Sequence, residues 1–150
     1  MSIDYQLALA GDIPLERLSE LAAPGATETL SPAGNRLMSA DLYDENGYGV
    51  SIVPGDHGYY EAESDGGEVW SWEPDRFVDI TFHMGKDTMA EKGVPNMLKA
   101  VAAVLSDRSE DAALTLNSNW LLLTRNDGVL RRHRPDWWSH HDLDGKAMRP

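Results

Sequence analysis

The sequence predicts an α+β fold, a mainly antiparallel sheet with two helices. Three observations carry that expectation. Strand-period segments recur along the chain, the connections between them are short and rich in Gly, Asp, Asn and Pro, and only two windows place apolar residues at helical spacing. At 150 residues the chain is the size of one ordinary domain and can bury about two thirds of its unfolded surface without a covalent staple. Residues 1–150 therefore read as a single domain, with no linker, low-complexity segment or internal repeat.

The first element is a strand, because Ile3, Tyr5, Leu7 and Leu9 alternate with smaller or more polar residues until Gly11-Asp12 interrupts them. Asp12 can cap a short helix with Pro14 in its first turn; Leu15, Leu18, Leu21 and Ala22 fall on one stripe before Pro24-Gly25 stops it. Residues 27–34 carry Ser, Thr, Pro and Gly without periodicity and read as a loop. Strands are expected at 37–43, at 47–53 and within 59–72, and a central strand at 76–84 that includes Phe77, Ile80 and Phe82. The second helix lies within 88–105, with Val94, Met97, Leu98, Val101, Val104 and Leu105 on one stripe. Gly93 and Pro95 delay its regular part to about Pro95. Strands at 112–116, 120–124 and 129–133 complete the sheet, the last two joined at 125–128 through the favoured Asp127-Gly128 turn. Residues 135–150 form a polar tail that docks through Trp137 and Trp138 and is only partly ordered from about residue 139.

A hydrophobic content of 41% with five tryptophans supplies a core, and a formal net charge of −12 keeps the exterior solvated. With no cysteine there is no disulfide and no thiolate zinc site, which fits a reducing compartment, so a cytoplasmic location is expected. The first residues lack the basic start and apolar run of a signal peptide, and no stretch is long and apolar enough to span a bilayer.

The most informative feature is charge. Residues 37–75 contain no Lys or Arg, yet carry Asp41, Asp44, Glu45, Asp56, Glu61, Glu63, Asp65, Glu68, Glu73 and Asp75. Tyr43, Tyr48, Tyr59, Tyr60, Trp70 and Trp72 interleave with them, whereas a disordered acidic tail lacks such residues, so the acids belong to a folded surface. A surface of one sign steers oppositely charged partners and rejects like-charged ones; a basic protein fits it and nucleic acid does not. Alternation sends Trp70 and Trp72 to one face, either into the core or to an interface as aromatic anchors. Opposite charge gathers near the C-terminus in Arg125, Arg131, Arg132, His133 and Arg134; beside Trp137 and Trp138 it could stack or bind phosphate, but the net charge disfavours nucleic acid, and balancing the protein's own acids is the expected role.

Enzymatic signatures are missing. There is no Gly-x-Ser-x-Gly elbow, phosphate-binding glycine loop, dinucleotide fingerprint or His-Glu-x-x-His helix. His83 is expected opposite Phe82 as a satisfied sheet histidine, and the His140-His141-Asp142 run lacks the spacing of a ready chelate even with His133 added. Neither 41–45 nor 61–68 has the ligand order of a calcium loop. No metal and no cofactor are expected.

The succession Ser39-Ala40-Asp41-Leu42-Tyr43-Asp44, residues 59–65, Trp70-Ser71-Trp72-Glu73-Pro74, Asn96-Met97-Leu98, and Asp111-Ala112-Ala113-Leu114 through Leu121-Leu122-Leu123-Thr124-Arg125 resembles the Sit-type immunity proteins. These are small actinobacterial and myxobacterial proteins that protect against toxins delivered by neighbouring kin. The likeness runs from the first strand to Trp138. It implies a cytoplasmic, non-enzymatic protein that binds and neutralises a cognate toxin, and it carries over no binding residue. The residues expected to bind the partner are those of the acidic stretch: Asp41, Asp44, Glu45, Glu61, Glu63 and Asp65 for charge, with Tyr59, Tyr60, Trp70 and Trp72 as anchors. The partner would be a protein toxin with a basic cleft, with neither nucleic acid nor membrane involved. Two other classes compete: a small metal-dependent hydrolase using scattered His and carboxylates, and a regulatory domain holding a ligand in an apolar pocket.

Overall fold

The alternation at the N-terminus becomes strand β1, Ser2–Ala10, in a computed structural model that describes residues 2–141. Tyr5, Leu7 and Leu9 are buried on one face of β1, while Asp4 and Gln6 face the other way. Helix α1 (Leu15–Ala22) follows, then β2 (Thr27–Leu30), β3 (Arg36–Leu42), the single turn α2 (Tyr43–Asn46) and β4 (Tyr48–Asp56). The β5–β6 hairpin (Tyr60–Glu63 and Val69–Trp72) precedes β7 (Arg76–Gly85). The turn α3 (Lys86–Thr88) and a π-helical segment, Met89–Gly93, lead into α4 (Val94–Asp107). Strands β8 (Ala112–Leu116), β9 (Trp120–Asn126) and β10 (Val129–Arg132) and helix α5 (Pro135–His141) complete the described chain.

All ten strands join one sheet in the order β2-β3-β4-β7-β1-β8-β9-β5-β6, with β10 pairing β9. Every pairing is antiparallel except a single parallel bridge, Glu63 opposite Trp120, which ties β5 to β9. Helices α1 and α4 cover one face. Leu15 and Leu18 of α1 and Val94, Met97, Val101 and Val104 of α4 meet Leu7, Leu9, Ile52, Ile80 and Phe82 in a continuous aliphatic core. Burying each such side chain contributes about 1.5–3 kcal/mol. No helix among the described residues is long and apolar enough to cross a membrane.

The α+β expectation holds, with five helices in place of two. The three additions, α2, α3 and α5, span at most seven residues each, too few turns to display a helical period. Residues 27–34 are not a loop throughout: Thr27–Leu30 is an edge strand paired to β3. It is exposed at every position, so it never needed the apolar alternation by which strands are recognised. Residues 59–72 hold two strands rather than one. The regular helix does begin beside Pro95, at Val94. The π turn before it approaches Gly47 so closely that a Cβ there would lie 2.9 Å from the Gly93 nitrogen. The Asp127-Gly128 hairpin forms as expected, with positive φ at both turn residues. Residues 139–141, the start of the expected tail, are the end of α5, and Trp138 in that helix is buried; residues 142–150 lie outside the described residues.

Candidate partner-binding site

The face of the sheet that the helices leave open is partly roofed by the β5–β6 hairpin. Alternation divides this hairpin sharply. Tyr60 and Ala62 face inward across from Trp72 and Trp70, while Glu61 and Glu63 face outward across from Ser71 and Val69. The two indoles lie on the same side as expected, with ring centroids 6.0 Å apart. They are half-buried against Ala62, Ala113 and Leu121, in a small apolar cluster separate from the main core. Glu61, Glu63, Glu68 and Val69 are exposed on the outer surface. Tyr59, also exposed, donates its hydroxyl to a Glu61 carboxylate oxygen at 2.7 Å, and that hydrogen bond, with the Glu61 charge, raises its pKa.

Between hairpin and sheet lies a cavity of about 370 Å³. It is lined by Tyr59 and Tyr60 of the hairpin, with Glu61 at its rim, and by Gln6 of β1, Phe77 and Asp79 of β7, and Thr115 of β8 from the sheet. Phe77 stands edge-on to Tyr60, centroids 5.6 Å apart. Its ring occupies space that only glycine leaves open: a Cβ on Gly55 would fall 2.3 Å from Phe77 Cζ, and one on Gly58 2.8 Å from Cδ1. The base of the hairpin is closed by backbone bonds from His57 to Asp75 (2.7 Å) and from Gly58 to Pro74 (2.9 Å).

Asp79 is the residue that sequence reasoning missed. It sits in the middle of the central strand, where Phe77, Asp79, Thr81 and His83 alternate with the buried Val78, Ile80, Phe82 and Met84. A carboxylate at the centre of such a strand was the available signal. Burial pushes its pKa up to about 6, and the hydrogen bond from Tyr60 acts in the opposite direction. The Tyr60 hydroxyl donates to Asp79 Oδ1 at 2.5 Å; burial and the adjacent carboxylate drive the Tyr60 pKa well above the ordinary tyrosine range. No Lys, Arg or His among the described residues forms an ion pair with Asp79.

The ten expected binding residues divide into three groups. Tyr59, Tyr60 and Glu61 frame the cavity, and Trp70 and Trp72 support the hairpin from beneath. Glu63 and Asp65 meet Arg134, whose guanidinium donates to the Glu63 carbonyl at 3.1 Å and whose backbone N–H donates to the Asp65 carboxylate. Asp41, Asp44 and Glu45 are exposed at the β3–α2–β4 connection, where Asp41 accepts from the Tyr43 backbone at 3.1 Å and Lys92 donates to the Asp44 carbonyl. Asp41 is paired with Gly49, whose other neighbour is His83; Asp79 is paired with Val53, four residues further along β4. That separation is about 13 Å along the strand.

The C-terminal basic residues are largely engaged within the chain. Arg125 donates to the Leu105 and Glu110 carbonyls at 2.6 and 2.9 Å. Arg134 lies 3.7 Å from the centre of the Trp120 ring, and Arg132 4.5 Å from that of Trp138. His83 lies opposite Phe82 as expected, its Nδ1 2.9 Å from Asp4 Oδ1. His133 is buried beside Thr124, with Nε2 3.1 Å from Oγ1, and burial together with Arg131 lowers its pKa. Among the described residues no three His, Asp or Glu side chains are grouped to hold a metal ion.

A family model described as SitI3-like matches residues 3–142. The chain belongs to the SitI3-like family. That membership places it among the Sit-type immunity proteins and extends through the cavity, the acidic hairpin and α5. No curated protein and no solved structure matches this SitI3-like chain.

Proposed function

We propose that this SitI3-like protein is a non-enzymatic, cytoplasmic immunity protein that binds a cognate bacterial toxin and neutralises it by covering a basic cleft. Family membership supports the class. The observation that carries the mode of binding is the outer surface of the β5–β6 hairpin. Glu61, Glu63 and Glu68 project from an aromatic-backed ribbon within a 39-residue stretch, 37–75, that contains no Lys or Arg. Tyr59, Tyr60, Trp70 and Trp72 pre-organise that ribbon, which lowers the ordering cost of association. Asp41, Asp44, Glu45 and Asp65 extend the negative potential beyond it. Exposed acids chiefly raise the association rate, whereas an acid desolvated at the centre of the contact is worth about 2–5 kcal/mol when truncated.

The test is a titration against the product of the adjacent open reading frame, at low and at high salt. The expected outcome is tight stoichiometric binding that weakens with salt and abolishes the neighbour's toxicity. Charge reversal at Glu61 and Glu63 should slow association; unchanged binding and unchanged salt dependence would overturn the assignment of this surface.

A further inference from the structure

The cavity under the hairpin has the chemistry of a receptor for one particular side chain. Its floor carries a carboxylate, Asp79, with no cationic partner among the described residues and only the Tyr60 hydroxyl bonded to it. Its walls are aromatic rings, Tyr60 and Phe77, held at 86° to one another. Its remaining lining includes the neutral hydrogen-bonding groups of Gln6, Thr115 and Ser118, and at the mouth stands a second carboxylate, Glu61. Among the described residues, no basic side chain lines it.

We propose that this pocket receives an arginine side chain of the bound toxin, with the guanidinium seated on Asp79 beside the rings of Tyr60 and Phe77. This deepens the proposed function and rests on it. Three features select arginine over lysine. A guanidinium presents five donors in a fixed plane, which suits one carboxylate flanked by several neutral acceptors, whereas an ammonium is a compact, strongly hydrated point charge. Flat aromatic walls favour the delocalised cation through stacking and cation–π attraction. The charge complementarity is local: Asp79 is a carboxylate with no cationic partner among the described residues, and Glu61 adds negative charge at the rim. A desolvated carboxylate paired only with a tyrosine hydroxyl is costly to leave alone, and an incoming cation offsets that cost.

The experiment uses the full chain and capped amino acids. N-acetyl-arginine amide, titrated while the Tyr60 and Phe77 ring resonances are followed by NMR, should shift them saturably in the millimolar range. N-acetyl-citrulline amide, of nearly the same shape but uncharged, should bind at least tenfold more weakly, with the lysine analogue between them. Asp79→Asn, close to isosteric, should reduce arginine affinity at least tenfold while leaving the chemical shifts of the helix-covered core unchanged. Shifts that do not saturate, citrulline binding as well as arginine, or undiminished binding to the variant would each overturn the pocket. Because this titration needs no toxin, failure of the toxin to bind would remove the immunity reading without altering it. With the toxin in hand, Asp79→Asn should weaken the complex at least tenfold; an unchanged complex would show that the toxin does not use the pocket.

Discussion

The two faces of the same sheet are built for different ends. On the face under α1 and α4, Leu7, Leu9, Ile52, Ile80 and Phe82 are completely or almost completely buried among aliphatic side chains. On the opposite face the intervening residues of the same strands are Gln6, Ser51, Asp79, Thr81 and His83, half-buried and polar. The cover there is one hairpin of two four-residue strands, tied to β9 by one parallel bridge. Because side chains alternate along a strand, one set of strands can carry a stabilising face and a polar, cavity-bearing face at once. The contrast lies in how much unsatisfied chemistry each face tolerates.

The comparison predicts its own largest effect on the helix-covered face. Leu7→Ala should destabilise the protein by about 2–5 kcal/mol, through lost burial and an unfilled cavity, measured by urea denaturation. A loss under 1 kcal/mol would mean that this face is not the principal core.

A change of opposite sign is expected on the other face. Asp79 has a folded-state pKa of about 6, above its unfolded value, so between roughly pH 4 and pH 6 the folded state binds more protons than the unfolded one. Stability therefore falls as pH rises through that window, and the penalty is complete above it. Asp79→Asn should raise stability at pH 7–8 by about 1–3 kcal/mol and give no advantage near pH 3.5. Tyr60 is the titratable group that bonds to it. A variant whose stability tracks the parent across the whole range would remove the case for a strained carboxyl.

The hairpin should be the less stable of the two covers. Trp72→Ala, which removes the indole packed on Tyr60 at 5.5 Å, should cost about 2 kcal/mol because the ring is only half-buried. It should also raise hydrogen exchange at 59–72 far more than in β1 or β7. Uniform loss of protection across the sheet would show that the two faces unfold as one unit. The smallest effect on stability belongs to the outer surface: Glu61→Lys with Glu63→Lys should alter it by no more than about 1 kcal/mol, while slowing toxin association at low salt at least tenfold.

Much of this was legible beforehand. Leu15, Leu18 and Ala22, and the longer stripe from Val94 to Leu105, carry helical periodicity without reference to anything distant, and both form helices. The same is true of the alternation in β1 and β7 and of the Asp127-Gly128 turn. The edge strand at Thr27–Leu30 escaped because it is exposed on both faces, and Asp79 escaped because its partner and its cover, Tyr60 and the hairpin, come from another part of the chain.

The chain by itself determined where its two longer helices and most of its strands lie, that its acids are gathered into one uncompensated stretch, and that Trp70 and Trp72 share a face. These are properties of spacing and composition, and they act over a few residues. Only the tertiary structure decided that the hairpin folds over the sheet, that Tyr60 finds Asp79 19 residues away, and that Asp65 finds the backbone of Arg134 across 69 residues. The reason is physical: such encounters depend on strand order and crossover, and a long-range pairing leaves no periodic mark on the sequence at either of its ends.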